Sequence, residues 1–178
     1  FDILLIHNAH GAPLEQFLSP ISNHRTDKFG GSLETRARFT NMILDRIRAE
    51  VGDDMLIEFR ISGSQFDDGG MDIQDCIAFL KLFEDRLDFA HVSAGTALSD
   101  STRAIMHPTS FLPPATNNFL AEKVKQSGIK IPVISVGAIY EPALADRLIG
   151  EGKCDIVTSA RAYIADPEFL DKAYEGAE

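Results

Sequence analysis

Five short apolar runs alternate with longer stretches of helical spacing along the chain, and this alternation constrains the fold more than any other feature. The runs fall at residues 2–6, 55–61, 89–93, 132–136 and 155–159, and the helical stretches at 33–51, 73–86, 116–127, 141–150 and 167–174. The runs are short and largely apolar, as strands buried in a parallel sheet between crossover helices are. Such βα units either curl into a barrel or lie in an open, doubly wound sheet, and periodicity does not choose between them. In both architectures the polar residues that follow a strand gather at the carboxyl edge of the sheet, where ligands bind. The strand ends are therefore where chemistry is expected.

Ser32 caps the first helical stretch with Glu34 near its positive end, and Gly150 and Gly152 suit the close of the fourth. No Pro- or Ser-rich linker divides the chain, so residues 1–178 read as one continuous part of a single domain. At 44% hydrophobic content it can bury one substantial core. Phe1 opens directly into the first apolar run, which creates the expectation that the chain starts inside a longer protein. Neither a leader pattern nor a membrane-length apolar run is present, and the expected location is cytoplasmic. With 27 acidic against 17 basic residues, the net charge of −10 disfavours nonspecific attraction to nucleic acid or anionic lipid. Cys76 and Cys154 lie far apart, form no metal-like pair, and read as buried small hydrophobes in a reducing compartment.

The first strand gives way to His7-Asn8-Ala9-His10-Gly11, with two imidazoles three residues apart. As neutral rings they can donate hydrogen bonds to a carbonyl or carboxylate oxygen and polarise a conjugated double bond. A metal reading needs a third ligand, and Gly11 and Pro13 argue against the helix on which this spacing makes a zinc pair. Spacing alone favours a plainer reading, with one ring capping the strand and the other at the surface. The second strand carries Glu58 and Arg60 on one face; either they pair with each other or both address a ligand, and the two readings weigh the same. His91 in the third strand reads as a packed or partnered core residue, and Ser93-Ala94-Gly95-Thr96 permits close approach of a flat ring. The last two strands end in Val136-Gly137-Ala138-Ile139 and Ser159-Ala160-Arg161-Ala162, where backbone N–H groups and a fixed guanidinium suit a phosphate. In barrels that grip follows strands seven and eight, so the five strands are expected to be strands four to eight.

The motifs together resemble the Old Yellow Enzyme-like NADH:flavin oxidoreductases over essentially the whole chain. The match is carried by His7 to Gly11 with Gln16-Phe17-Leu18-Ser19-Pro20, by the long stretch from Asn23 through Gly30-Gly31 to Phe39, by Phe59-Arg60-Ile61-Ser62, by Val133 to Gly137, and by Ala160 to Pro167. The resemblance implies an α/β fold, a partial TIM (β/α)8 barrel, that binds FMN noncovalently, with NAD(P)H as reductant and an electron-poor alkene as acceptor. It implies that His7 and His10 are catalytic, hydrogen-bonding the activating oxygen of an α,β-unsaturated substrate. It implies that Arg60 lies near the flavin's pyrimidine end and that Gly137, Ala160 and Arg161 belong to the phosphate site. Arg25 and Asp27 are expected to pair locally.

Ala12 and Pro13 stand where many members carry a proton-donating Tyr, so that role falls to solvent, to Tyr163 or to a residue elsewhere, or the reaction is amine or ether oxidation or demethylation. The ending Ile164 to Phe169 resembles the larger iron–sulfur branch, whose cluster cysteines follow a segment like 170–178. A [4Fe–4S] cluster and FAD are expectations for a longer parent alone. The isolated chain is expected to be an inert, incomplete barrel.

Overall fold

The computed structural model of the protein describes residues 1–176. Segment 170–178, the stretch likened to the approach to a cluster, thus ends in two residues outside the described ones. Five strands form one parallel sheet in the order β1-β2-β3-β4-β5. They are β1 (Ile3–Asn8), β2 (Leu56–Ser62), β3 (Phe89–Ser93), β4 (Val133–Val136) and β5 (Ile156–Thr158). The helices are α1 (Pro13–Leu18), α2 (Leu33–Arg36), α3 (Arg38–Val51), α4 (Ile73–Phe83), α5 (Asp100–Met106), α6 (Asn118–Gln126), α7 (Pro142–Gly150), α8 (Ala160–Ala165) and α9 (Phe169–Glu175). None is long and apolar enough to cross a membrane among the described residues.

Sequential strand order decides what periodicity left open. Right-handed crossovers between successive parallel neighbours put every connecting helix on the same face, whereas a doubly wound sheet reverses its order to cover both. The core agrees. Ile6, Ile57, Phe59, Ile61, Ala90, Val92 and Val133 alternate onto the helix-covered face and pack into one cluster with Leu44, Phe79, Leu80, Leu120, Val124, Leu144 and Leu148. On α4, Cys76, Phe79, Leu80 and Phe83 recur at helical spacing, and Phe79 stacks on Phe59 with ring centroids 5.5 Å apart. The alternate residues turn to the other face, where Ile3 and Leu5 remain 46% and 43% exposed. This singly wound sheet with an open inner face is the arrangement found in part of a (β/α)8 barrel.

Two boundaries differ from the sequence reading. The helix expected over 33–51 divides at Ala37, which keeps helical angles (φ −72°, ψ −13°) but ends the four-residue α2 before α3 begins. Three short helices, α1, α5 and α8, lie where no helix was expected. Pro13, taken as a helix breaker, occupies the first turn of α1, where a missing N–H costs nothing. Ser32 accepts a hydrogen bond from the Thr35 amide as anticipated, and Cys76 and Cys154 are buried free thiols.

Candidate functional site

The chain turns sharply beyond β1. His10 adopts φ +61° and Gly11 φ +81°, two consecutive left-handed residues, and for a histidine that conformation costs on the order of 1–3 kcal/mol. Surrounding groups hold it. The His10 amide donates to Ser62 Oγ at 3.2 Å, the Ala97 amide donates to the His10 carbonyl at 3.2 Å, and the Gly11 amide donates to the Glu15 carboxylate. Glu15 is fully buried, and burial raises its pKa despite hydrogen bonds from Ser62, Gly11 and Gln65. A side chain at Gly11 would meet Leu98 Cγ at 3.1 Å and Thr96 Oγ1 at 3.3 Å, so glycine is required there on two counts.

This turn sets the His7 and His10 rings edge-on, with centroids 5.3 Å apart. Burial, then the nearby Arg60 charge, lowers the pKa of both, that of His10 to about 3. Both rings are therefore neutral near pH 7, the state in which an imidazole donates a hydrogen bond without carrying charge. His10 Nε2 lies 2.7 Å from Ser93 Oγ, which also accepts from Arg60 Nη2 at 3.3 Å. If Ser93 gives its own proton to His10 Nε2, it can accept from Arg60 Nη2 as well, and the imidazole proton sits on Nδ1.

Arg60 is flanked in register by His7 on β1 and His91 on β3. Of the two anticipated readings, a Glu58–Arg60 pair and a shared ligand, the structure takes neither for Glu58. Glu58 Oε1 lies 2.5 Å from His91 Nδ1, and no Glu58–Arg60 ion pair forms among the described residues. Arg60 Nε is buried without a partner, an unmet donor on a permanent cation. His91, 4% exposed, is thus the partnered core residue that the strand pattern suggested.

Arg60, Gly137, Ala160 and Arg161 all line one cavity of about 280 Å³ at the carboxyl edge, with Ser93, His107, Asn117 and Tyr140 among its other walls. Gly137 has φ +121°, and a Cβ there would meet Asn117 Nδ2 at 3.3 Å, so only glycine leaves its backbone open to the cavity. Arg161 spreads over the Tyr140 ring with its central carbon 5.3 Å from the centroid. His7 and His10 do not line this cavity themselves; Ser93 joins His10 to its wall.

His107 was missed. It caps the C-terminus of α5, lines the cavity, and stands with its ring centroid 6.3 Å from that of His10. The only signal in the sequence is a His-Pro step after a short helical stretch, and nothing local ties it to a strand end. Tyr163, weighed as a proton source, lies elsewhere: it packs on Phe169 in a separate cavity of about 640 Å³ between α7, β5 and α9. That larger space is mostly apolar, with acidic side chains and, among the described residues, no arginine or histidine in its walls. Arg25 and Asp27 form the expected local ion pair at the surface.

Comparison with known proteins follows the same outline. Residues 1–178 match the NADH:flavin oxidoreductase / NADH oxidase family. A protein named NADH oxidase from Thermoanaerobacter brockii is 41% identical over the whole chain, which spans 27% of that protein. A solved complex of 2-naphthoyl-CoA reductase with 2-naphthoyl-CoA superposes with a TM-score of 0.88 at 34% identity, over 98% of this chain and 26% of that one. Histamine dehydrogenase from Rhizobium sp. 4-9 superposes with a TM-score of 0.82 at 28% identity, over 99% and 25% of the two chains. The chain spans about a quarter of the length of each of these relatives.

Proposed function

The chain belongs to the NADH:flavin oxidoreductase / NADH oxidase family, and from that premise we propose that it forms strands four to eight of an FMN-binding barrel that reduces an activated, α,β-unsaturated C=C bond at the expense of NAD(P)H. The observation that carries this reading is the convergence of Arg60, Gly137, Ala160 and Arg161 on one cavity, with His10 joined to its wall through Ser93. The residues fit the cofactor: Arg60 has a buried, unmet N–H, and the backbone at Gly137 is open for want of a Cβ. Gly137, Ala160 and Arg161 would hold the phosphate, and Arg60 the pyrimidine end, where its charge favours an electron-rich ring.

When bound, FMN supplies hydride transfer between NAD(P)H and the alkene. His7 and His10 hold the oxygen that activates the alkene. As neutral donors they stabilise the negative charge that grows on that oxygen, and the fixed turn at His10 means little reorganisation is needed. Ala12 has no proton to give, and His107, which lines the cavity with its ring centroid 6.3 Å from that of His10, supplies one to the substrate carbon. The substrate is a small electrophilic alkene and the setting cytoplasmic. The test is the absorbance of the purified full-length protein supplied with FMN, before and after NAD(P)H and then an enone. Flavin bands that bleach and return on adding enone support the reading; a protein that takes up no flavin sinks it.

Ala12 also motivates a second reading, oxidation or demethylation of an amine or ether, in keeping with the likeness to histamine dehydrogenase. Anaerobic bleaching of bound flavin by an amine without NAD(P)H would favour it over alkene reduction. The isolated 178 residues are proposed to be inactive, because the open inner face bears Ile3, Leu5 and Leu56 unburied and, among the described residues, the outer edges of β1 and β5 have no pairing strand.

A further inference from the structure

We infer that His91 is a positioning residue for Arg60: by holding the Glu58 carboxylate, it keeps the buried guanidinium free of a contact counter-ion, so that a bound flavin meets its charge instead. The inference rests on the reading that FMN binds against Arg60. Its geometry comes from the register. Arg60 and His91 are neighbours across β2 and β3, and Glu58 lies two residues before Arg60 on the same open face. A carboxylate so placed has two candidate partners, a permanent cation on its own strand and an imidazole on the next.

The structure shows which one it takes. Glu58 Oε1 and His91 Nδ1 are 2.5 Å apart, with side chains 15% and 5% exposed, while Arg60 turns toward the carboxyl edge and donates to Ser93 Oγ at 3.3 Å. The Glu58 charge still acts on Arg60 through space, yet Arg60 Nε stays buried without an acceptor. A contact Glu58–Arg60 pair would satisfy that N–H and draw the guanidinium down the sheet, away from the cavity wall it now forms. His91 thus leaves Arg60, a wall of the cavity, without a contact counter-ion.

The test is the midpoint potential of FMN bound to the full-length protein. His91→Phe fills similar space but cannot hold Glu58, which then turns to Arg60 and cancels the charge favouring reduced flavin. The potential is expected to fall by a tenfold change in the ratio of reduced to oxidised flavin at fixed poise, about 30 mV for a two-electron couple. In a Glu58→Gln background the same His91→Phe change is expected to leave the potential where Glu58→Gln alone sets it. His91→Gln, which can still donate to Glu58, is expected to keep the wild-type value. Should His91→Phe not fold, His91→Asn, too short to keep Glu58, is expected to show the same fall. An unchanged potential in the Phe or Asn variant, or a fall that persists without Glu58, overturns the inference. A wild-type protein that binds no FMN overturns the functional reading beneath it, a result read before any variant is made.

Discussion

The two faces of the sheet are built from alternate residues of the same strands, yet they obey opposite rules. On the helix-covered face Ile57, Phe59 and Ile61 of β2 are at most 1% exposed and belong to one apolar cluster. On the other face the intervening Glu58 and Arg60 carry charge, and the row beside them adds His7 and His91. One face gains by removing apolar surface from water; the other bears the expense of half-buried charge, which burial alone would never favour. A period of two lets one strand do both, because neighbouring residues never share an environment.

Breaking the covered face should have the largest effect. Phe79→Ala removes a ring stacked on Phe59 and in contact range of Phe83 and is expected to cost about 3–5 kcal/mol, read as a lower denaturation midpoint. Breaking the open face should spare stability and remove chemistry. His10→Gly keeps the left-handed turn without strain but removes the imidazole; kcat for enone reduction is expected to fall roughly 100- to 1,000-fold with little change in midpoint. Arg60→Met should sharpen the contrast further. Losing a buried cation with an unmet N–H leaves stability equal or higher, while FMN affinity drops by about 2 kcal/mol in a fluorescence titration.

The smallest effect concerns pH. Because the folded pKa of His10 lies near 3, below the ordinary 6.5, the unfolded chain takes up a proton that the folded one refuses as pH falls. That contribution to stability is complete above pH 6.5 and is lost on descending toward 3; between pH 7 and pH 6 the loss is about 0.7 kcal/mol for one imidazole. His7 and His91 act with the same sign. Glu15 acts oppositely, since its raised pKa stabilises the fold below 4.5 and the effect fades as pH rises through its folded value. Urea midpoints across this range should decline less steeply in His10→Gly than in the parent; equal slopes would show that the folded protein does not exclude the proton from His10.

The sheet was legible in the sequence because each strand is a short apolar run flanked by breakers, and every expected strand lies within two residues of an observed one at either end. The helices α1, α5 and α8 were not, since six or seven residues give too little periodicity to stand out from a loop. At the site, Arg60, Gly137, Ala160 and Arg161 could be found because each lies near or just past the end of a strand, and the topology brings strand ends together whatever the loops do. His107 and Asn117 reach the same cavity from a long connection between β3 and β4, where position in the chain says nothing about position in space. The pairing of Glu58 with His91 was out of reach for a related reason: it depends on register between strands, whereas a sequence displays only neighbours along one.

The left-handed backbone at position 10 also limits what a protein engineer can place there. A library randomised at that codon would mostly sample side chains that strain the turn, with β-branched residues worst, and the tolerant set reduces to Gly, Asn, Asp and His itself. Of these only Asn and His can offer a neutral N–H to a substrate oxygen, so selections for new acceptors at this position should return those two, and broader variety will come from residues such as His107 and Tyr140 that line the nearby cavity.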